Sequence, residues 1–139
     1  MTEFKGLYDI RDVRAGDKSF ILATFLRGVY HGSSWFKLIP QDVFFANYKA
    51  VGESLVNNPN LIISVACLKE EPDVILGYSI VSKDFQVINW CYVKKIWRLK
   101  GIAKSLLPQH PNSISHLSDL GKTLLPKINN PIFNPFKSN

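Results

Sequence analysis

The stretch that decides the fold is CYVKKIWRLKGIAKSLL, residues 91–107. It opens with strand-like apolar residues ending at Val93, continues through a basic segment containing Gly101, and ends in a run of helical character. A strand followed directly by a helix favours a crossover to a parallel strand. Five basic residues and no acid surround the glycine. This excess of charge suits a solvated helix start, a nucleic-acid contact or a cradle for cofactor phosphates.

Length and composition predict a single globular domain spanning residues 1–139. The chain is 46% hydrophobic and 20% charged, which argues against disorder. No apolar run approaches the roughly 18 residues of a membrane span, and the N-terminus lacks the layout of a secretory signal. We therefore expect a cytoplasmic protein with no membrane partner. Cys67 and Cys91 lie in apolar runs without CxxC spacing, which predicts buried free thiols and no metal site.

Hydrophobic periodicity predicts nine elements in the order β-α-α-β-β-β-α-β-α. The predicted strands are residues 7–13, 61–68, 74–81, 85–93 and 113–117. The predicted helices are residues 18–30, 40–57 and 101–107, with a last helix that is capped by Ser118 or Asp119 and continues to Lys127. Strands this apolar are expected to be covered on both faces. The sequence thus predicts an α+β fold, a three-layer sandwich in which helices flank a mixed central sheet.

The segment Arg98-Leu99-Lys100-Gly101-Ile102-Ala103 resembles the motif [Gln/Arg]-x-x-Gly-x-[Gly/Ala] of the GNAT superfamily of acyl-coenzyme A-dependent N-acyltransferases. Val93, five residues before Arg98, and Trp97, directly before it, also match. Lys95 departs from a proline that is usual there. The resemblance covers the order of elements along the whole chain but a specific motif only within residues 91–107. It implies the GNAT fold, acetyl-CoA as acyl donor and an amine as acceptor. The small size and basic charge of the chain also resemble those of compact phage-encoded members of the family, which would act in the host cytoplasm.

The resemblance also assigns the coenzyme contacts. A pyrophosphate approaches the backbone closely, so Gly101 would leave room for it, and the unpaired N–H groups of the following helix would favour the anion. The strand ending at Val93, if splayed from its neighbour, would pair with the pantetheine amides. The predicted contacts are Cys91, Tyr92, Val93, Arg98, Leu99, Lys100, Gly101, Ile102, Ala103 and Lys104.

The catalytic groups are harder to assign. In the family a backbone N–H at the end of the central strand polarises the thioester carbonyl, and Val93 or Tyr92 matches that position. A carboxylate near this strand often serves as base, but residues 85–101 contain no Asp or Glu, and Asn89 is the only polar side chain near the middle of the strand besides Tyr92. A late tyrosine often protonates the thiolate, yet no tyrosine follows Tyr92. His116 and Asp119 are the candidate replacements, and Tyr92 is a candidate acid.

Each candidate residue also has a purely structural interpretation. His116 also suits a partly buried strand residue bonded to backbone, and Tyr92 suits a core aromatic. His31 and Trp35, in the loop between the first two helices, either shape an acceptor pocket or pack. The acceptor and the choice between monomer and homodimer stay open. The missing acid and base also suit a divergent GNAT-like protein that binds nucleic acid or a host protein, or a nucleic-acid base modifier with an aromatic pocket.

Overall fold

The computed structural model describes residues 6–118 and 121–137. Its strands and α-helices, in chain order, are β1 (Tyr8–Asp12), α1 (Lys18–His31), α2 (Gln41–Asn57), β2 (Leu61–Leu68), β3 (Ile75–Ser82), β4 (Val87–Val93), α3 (Ile102–Leu106), β5 (Ser113–Ile114) and β6 (Ile132–Phe133). Short 3₁₀ helices occupy Ala15–Asp17, Phe36–Leu38, Lys95–Trp97, Gly121–Ile128 and Pro135–Lys137. The predicted order of elements is confirmed as far as β5.

The strands form one six-stranded mixed sheet in the order β1-β2-β3-β4-β5-β6. Neighbours from β1 to β4 are antiparallel, with short turns from β2 to β3 and from β3 to β4, whereas β4 pairs with β5, and β5 with β6, in parallel. A parallel pair needs a crossover, and α3 lies in the connection from β4 to β5. The crossover predicted after Val93 is therefore confirmed.

Helices and a 3₁₀ segment cover the two faces of the sheet. On one face α1 and α2 pack on the strands, and Phe25 of α1 joins Tyr78 and Trp90 in the largest buried cluster. On the other face Ile102 and Leu106 of α3 pack against Leu76 and Val93. Ile128, at the end of the Gly121–Ile128 segment, extends this second layer over β4 and β5. The three-layer α+β architecture predicted from apolar strands is thus confirmed.

The C-terminal part departs from prediction. The strand expected at residues 113–117 pairs only at Ser113–Ile114, and the predicted final helix is a 3₁₀ helix, Gly121–Ile128. Pro126 lies inside it, and proline has no N–H to donate to a continuous α-helix. Strand β6 was not predicted. Asp119, one of the two predicted caps, lies outside the described residues.

Three other observations bear on function. Within the described ranges, no helix combines the length and the apolar character that crossing a bilayer requires. In the same residues no three His, Cys, Asp or Glu side chains lie close enough together to hold a metal ion. Cys67 and Cys91 are both free thiols, as predicted. Cys67 is buried, as predicted, whereas the residue Cys91 is only partly buried.

Candidate active site

A cleft opens between β4 and β5 because the two strands separate. They pair only at Val87 with Ser113 and Ile88 with Ile114, and the Ser115 N–H donates to Ile88 O at 2.9 Å. Within residues 6–118 and 121–137, no further backbone hydrogen bond joins residues 90–93 to β5 or to the segment after it. Within the described residues, the edge of β4 that faces β5 therefore has no strand partner beyond Ile88.

The register with β3 determines which backbone groups face this cleft. Val93 lies opposite Gly77, and the Lys94 N–H donates to Leu76 O at 2.8 Å. Alternate residues of an antiparallel strand direct their N–H groups to opposite sides. The Tyr92 N–H therefore points to β3, while the N–H groups of Cys91 and Val93 point to the cleft. Of the two predicted carbonyl-polarising groups, the geometry favours Val93.

The side chain of Tyr92 lies on the α1 face of the sheet. Its ring is 6.1 Å from that of Phe20 and 5.6 Å from that of Tyr78, in the main aromatic cluster. These contacts match the core interpretation of Tyr92 and set its ring on the sheet face away from α3.

A β-bulge places Asn89 at the inner end of the cleft. Ile80 pairs with Trp90 and Val81 with Ile88, so Asn89 is the extra residue of β4. A bulge bends the strand locally and redirects a side chain. The buried Asn89 side chain donates from Nδ2 to Ser115 Oγ at 2.9 Å and so ties β4 to the end of β5.

His116 continues this hydrogen-bonded chain towards α2. Its Nδ1 lies 3.0 Å from Ser115 Oγ, and its Nε2 lies 2.9 Å from the hydroxyl of Tyr48. Burial lowers the pKa of His116 below its ordinary value, and a hydrogen bond with the backbone of Asn89 partly opposes this. Burial also raises the pKa of Tyr48. The imidazole is therefore neutral near pH 7, with a partner at each ring nitrogen.

Tyr48 was not among the predicted site residues. The spacing of α2 placed it on the apolar face with Phe44 and Leu55, and the sequence gives no sign that its hydroxyl meets a histidine 68 positions away. A tyrosine on an otherwise apolar helix face was the available signal, because a buried phenol normally has a hydrogen-bond partner.

A small cavity of about 30 Å³ connects His116 with the edge of β4. Trp90, Cys91, Ile114, Leu107 and Ile128 form most of its wall. That volume holds about one water molecule or a group of similar size. Burial raises the pKa of the Cys91 thiol to about 12, so the thiol stays protonated and unreactive at neutral pH.

The basic segment after β4 turns back on itself. The Arg98 Nε donates to Val93 O at 2.8 Å, which fixes the turn against the strand end. Leu99 and Gly101 both adopt left-handed conformations, with φ of 63° and 85°. Successive N–H groups in such a loop form an anion-binding concavity. A Cβ added at Gly101 would meet no protein atom within 4 Å, so the glycine borders open space.

The α3 helix is shorter than predicted, at Ile102–Leu106. The N–H groups of Ile102, Ala103 and Lys104 belong to its first turn and have no acceptor within the helix. Five residues make a small dipole, so attraction for an anion would come from the loop N–H groups and from the nearby basic side chains.

The structure leaves the predicted acceptor residues at the surface. His31 is exposed and its ring lies 5.0 Å from that of Tyr30, and Trp35 is 73% exposed. In the same loop Phe36 packs near the Tyr48–His116 pair, since its ring is 5.6 Å from that of Tyr48. Roles of His31 and Trp35 in acceptor binding stay predictions.

No family model matches the chain, and no curated protein is similar to it in sequence. Solved structures do match. One, described as histone acetyltransferase HPA2 and related acetyltransferase from Corynebacterium glutamicum, is 15% identical with a TM-score of 0.52, and the match covers 71% of this chain and 67% of that one. A GCN5-related N-acetyltransferase from Rhodopseudomonas palustris is 13% identical with a TM-score of 0.51, covering 72% of this chain and 61% of that one.

The chain thus has the fold of the GNAT superfamily, and these two similar solved structures are described as acetyltransferases. The match spans only 61 to 67% of the length of the first solved chains. At such low identity the likeness establishes the fold alone, and activity must be argued from the site.

Proposed function

We propose that this protein is an acyl-CoA-dependent N-acyltransferase that transfers an acetyl group from acetyl-CoA to an amine. The observation that carries the proposal is the free edge of β4, with the Val93 N–H facing the cleft and the left-handed loop at its open end. The coenzyme, when bound, supplies a thioester whose acyl carbon is open to attack by an amine.

The residues present fit such a molecule in two ways. An extended, amide-bearing chain can add to an exposed strand edge through backbone hydrogen bonds. Cys91 and the Val93 N–H offer that edge, whereas Val93 O already accepts the Arg98 Nε. At the end of the strand, the loop N–H groups and the side chains of Arg98, Lys100 and Lys104 favour a pyrophosphate. Lys94 takes no part in this cradle, because its ammonium lies 5.4 Å from the ring centre of Phe20, on the α1 face.

The catalytic assignment follows from the same geometry. The Val93 N–H would polarise the acyl carbonyl, and His116 would accept the proton of the amine in place of the absent carboxylate. Asn89 would act indirectly, as a positioning residue: its side chain holds Ser115, whose hydroxyl in turn holds the imidazole of His116. Tyr92 contributes its backbone and its ring packing in this proposal. The chemical identity of the amine, and whether the protein acts as monomer or homodimer, remain open in it.

Isothermal titration calorimetry with coenzyme A tests the proposal. Gly101→Glu puts a negative side chain into the open space of the phosphate loop, so binding should fall below detection. Gly16→Glu is the matched control, because Gly16 also borders open space but lies in the Ala15–Asp17 turn before α1. Binding unchanged by Gly101→Glu, or absent from the wild type, would overturn the proposal. Circular dichroism checks that both variants fold.

A further inference from the structure

We infer that Tyr48 of α2 is the group that contacts the acceptor amine and passes its proton to His116. The inference rests on the proposed function and adds a residue that neither the motif nor the fold assigns. It starts from the hydrogen-bonded chain of Tyr48, His116, Ser115 and Asn89, which runs from α2 across the end of β5 to the bulge of β4.

Both ring nitrogens of His116 have partners in the protein. Nδ1 lies 3.0 Å from Ser115 Oγ and Nε2 lies 2.9 Å from the Tyr48 hydroxyl. An amine can therefore reach the imidazole directly only by displacing one of these bonds. Ser115 is 2% exposed and also accepts the Asn89 Nδ2 donor, which closes that end of the chain. Tyr48 is partly exposed and stands at the other end, so it is the open terminus.

One proton arrangement gives Tyr48 the capacity to accept. When the His116 Nδ1–H donates to Ser115 Oγ, Nε2 accepts the Tyr48 O–H, and the lone pairs of the phenol oxygen are available to a donor. An amine is mostly protonated near pH 7. It releases one proton to water before attack, and it loses a second proton as its nitrogen bonds to the acyl carbon. The amine proton then moves to the Tyr48 oxygen while the tyrosine proton moves to Nε2.

The transfer balances as follows. The bond between amine nitrogen and acyl carbon forms, and the electron pair of the broken C–S bond leaves on sulfur, which takes up a proton from water. The imidazolium formed at His116 returns its extra proton to water through the same hydroxyl. Burial raises the pKa of Tyr48 and lowers that of His116, so neither group retains charge after the transfer.

The surroundings hold the phenol in place. The Tyr48 ring is stacked on those of Phe25 at 6.1 Å and Phe44 at 5.0 Å, and Phe36 lies 5.6 Å away at a tilt. Besides Tyr48, the titratable group that faces His116 within residues 6–118 and 121–137 is Cys91, across the small cavity. Rings that fix a hydroxyl in one geometry preorganise it for proton transfer.

The test compares Tyr48→Phe with Tyr30→Phe. Tyr30 belongs to the same aromatic cluster and loses a hydrogen bond to Ile39 O on substitution, but its hydroxyl has no part in the chain to His116. We expect Tyr48→Phe to lower kcat about 100-fold, in the range of general acid–base catalysis, with coenzyme A affinity unchanged. Tyr30→Phe should stay within about 3-fold. The acidic limb of the kcat–pH profile, which reports His116, should move in Tyr48→Phe alone.

A second readout does not depend on turnover. The ring signals of the three histidines can be assigned by NMR, and Tyr48→Phe should shift those of His116 while leaving His31 and His110 unchanged. A Tyr48→Phe enzyme with wild-type kcat and pH profile, in a protein that binds coenzyme A, would overturn this inference alone. A wild type that binds no coenzyme A would overturn the proposed function and this inference with it.

Discussion

Gly77 of β3 is the position where one added methyl group should disturb both stability and the cleft. A Cβ there would lie 2.5 Å from Tyr92 O, 3.1 Å from Val93 Cα and 3.2 Å from Val93 Cγ2. Two of these are backbone atoms of β4, which cannot rotate away as a side-chain tip can. Gly77→Ala must therefore move β3 and β4 apart locally.

The size of the effect follows from two opposing contributions. Overpacking of a dense interior costs about 1 to 3 kcal/mol, at the upper end where the backbone has to shift. Alanine recovers up to about 1 kcal/mol because glycine loses more conformational freedom on folding. We expect the free energy of unfolding to fall by about 2 kcal/mol, which corresponds to a decrease in Tm of about 8 °C for a domain of this size.

Urea unfolding measures this directly, with equal m-values expected for both proteins. Gly16→Ala is the matched control, because its Cβ meets nothing within 4 Å, and it should stay within about 0.5 kcal/mol of wild type. Since Gly77 lies opposite Val93, the variant should also bind coenzyme A more weakly. A Gly77→Ala protein as stable as Gly16→Ala would refute the packing argument.

Two further predictions concern pH. The hydrogen bonds from Arg11 hold the pKa of Asp17 below its ordinary 3.8, although desolvation opposes them. The resulting stabilisation is present above pH 3.8 and is lost as pH falls through the folded pKa. Asp17→Asn should cost about 2 to 3 kcal/mol at pH 7 and flatten acid unfolding, and an unchanged acid midpoint would contradict this. The pKa of His116 is lowered, so the unfolded chain binds more protons than the folded protein just below pH 6.5, and stability should decline there on acidification. His116→Gln should remove this part of the dependence of unfolding free energy on pH. A pH dependence identical to wild type, measured by urea titrations at several pH values, would count against it.

The sheet was predictable from the sequence because its signals are local. The runs at residues 61–68 and 74–81 are bounded by turn residues, and their predicted limits agree with β2 and β3 within one residue. The start of β4 was placed too early at Phe85, whose φ of 62° puts it in the turn. The last helix was wrong in type because Pro126 lies inside it and has no N–H to donate to an α-helix. Two-residue strands such as β6 leave no pattern to detect.

In the candidate site, too, features set by one residue could be predicted, whereas contacts between distant residues could not. Gly101 was selected because the motif has a glycine there and because a pyrophosphate would need close approach to the backbone. The structure adds a separate reason for glycine, a φ of 85°, which the sequence argument did not use. The contact between Tyr48 and His116 could not be predicted from the sequence. Periodicity indicates which face of a helix a residue occupies, but it does not identify a partner 68 positions away. A splayed strand edge is likewise a property of two strands together.

The basic residues that are adjacent in the sequence do not share one surface in the structure, which a charge pattern alone cannot predict. In the sequence Lys94, Lys95, Arg98, Lys100 and Lys104 form one positive segment, as a nucleic-acid surface would require. In the structure the turn at Lys95–Trp97 separates them, so that Lys94 lies over Phe20 on the α1 face while Lys104 sits on α3 on the opposite face. Arg98 is bound to the end of β4. Lys94 is thus set apart from Arg98 and Lys104, which flank Gly101 in the chain. A polynucleotide backbone would call for one continuous basic surface, so this separation favours a small phosphate-bearing ligand.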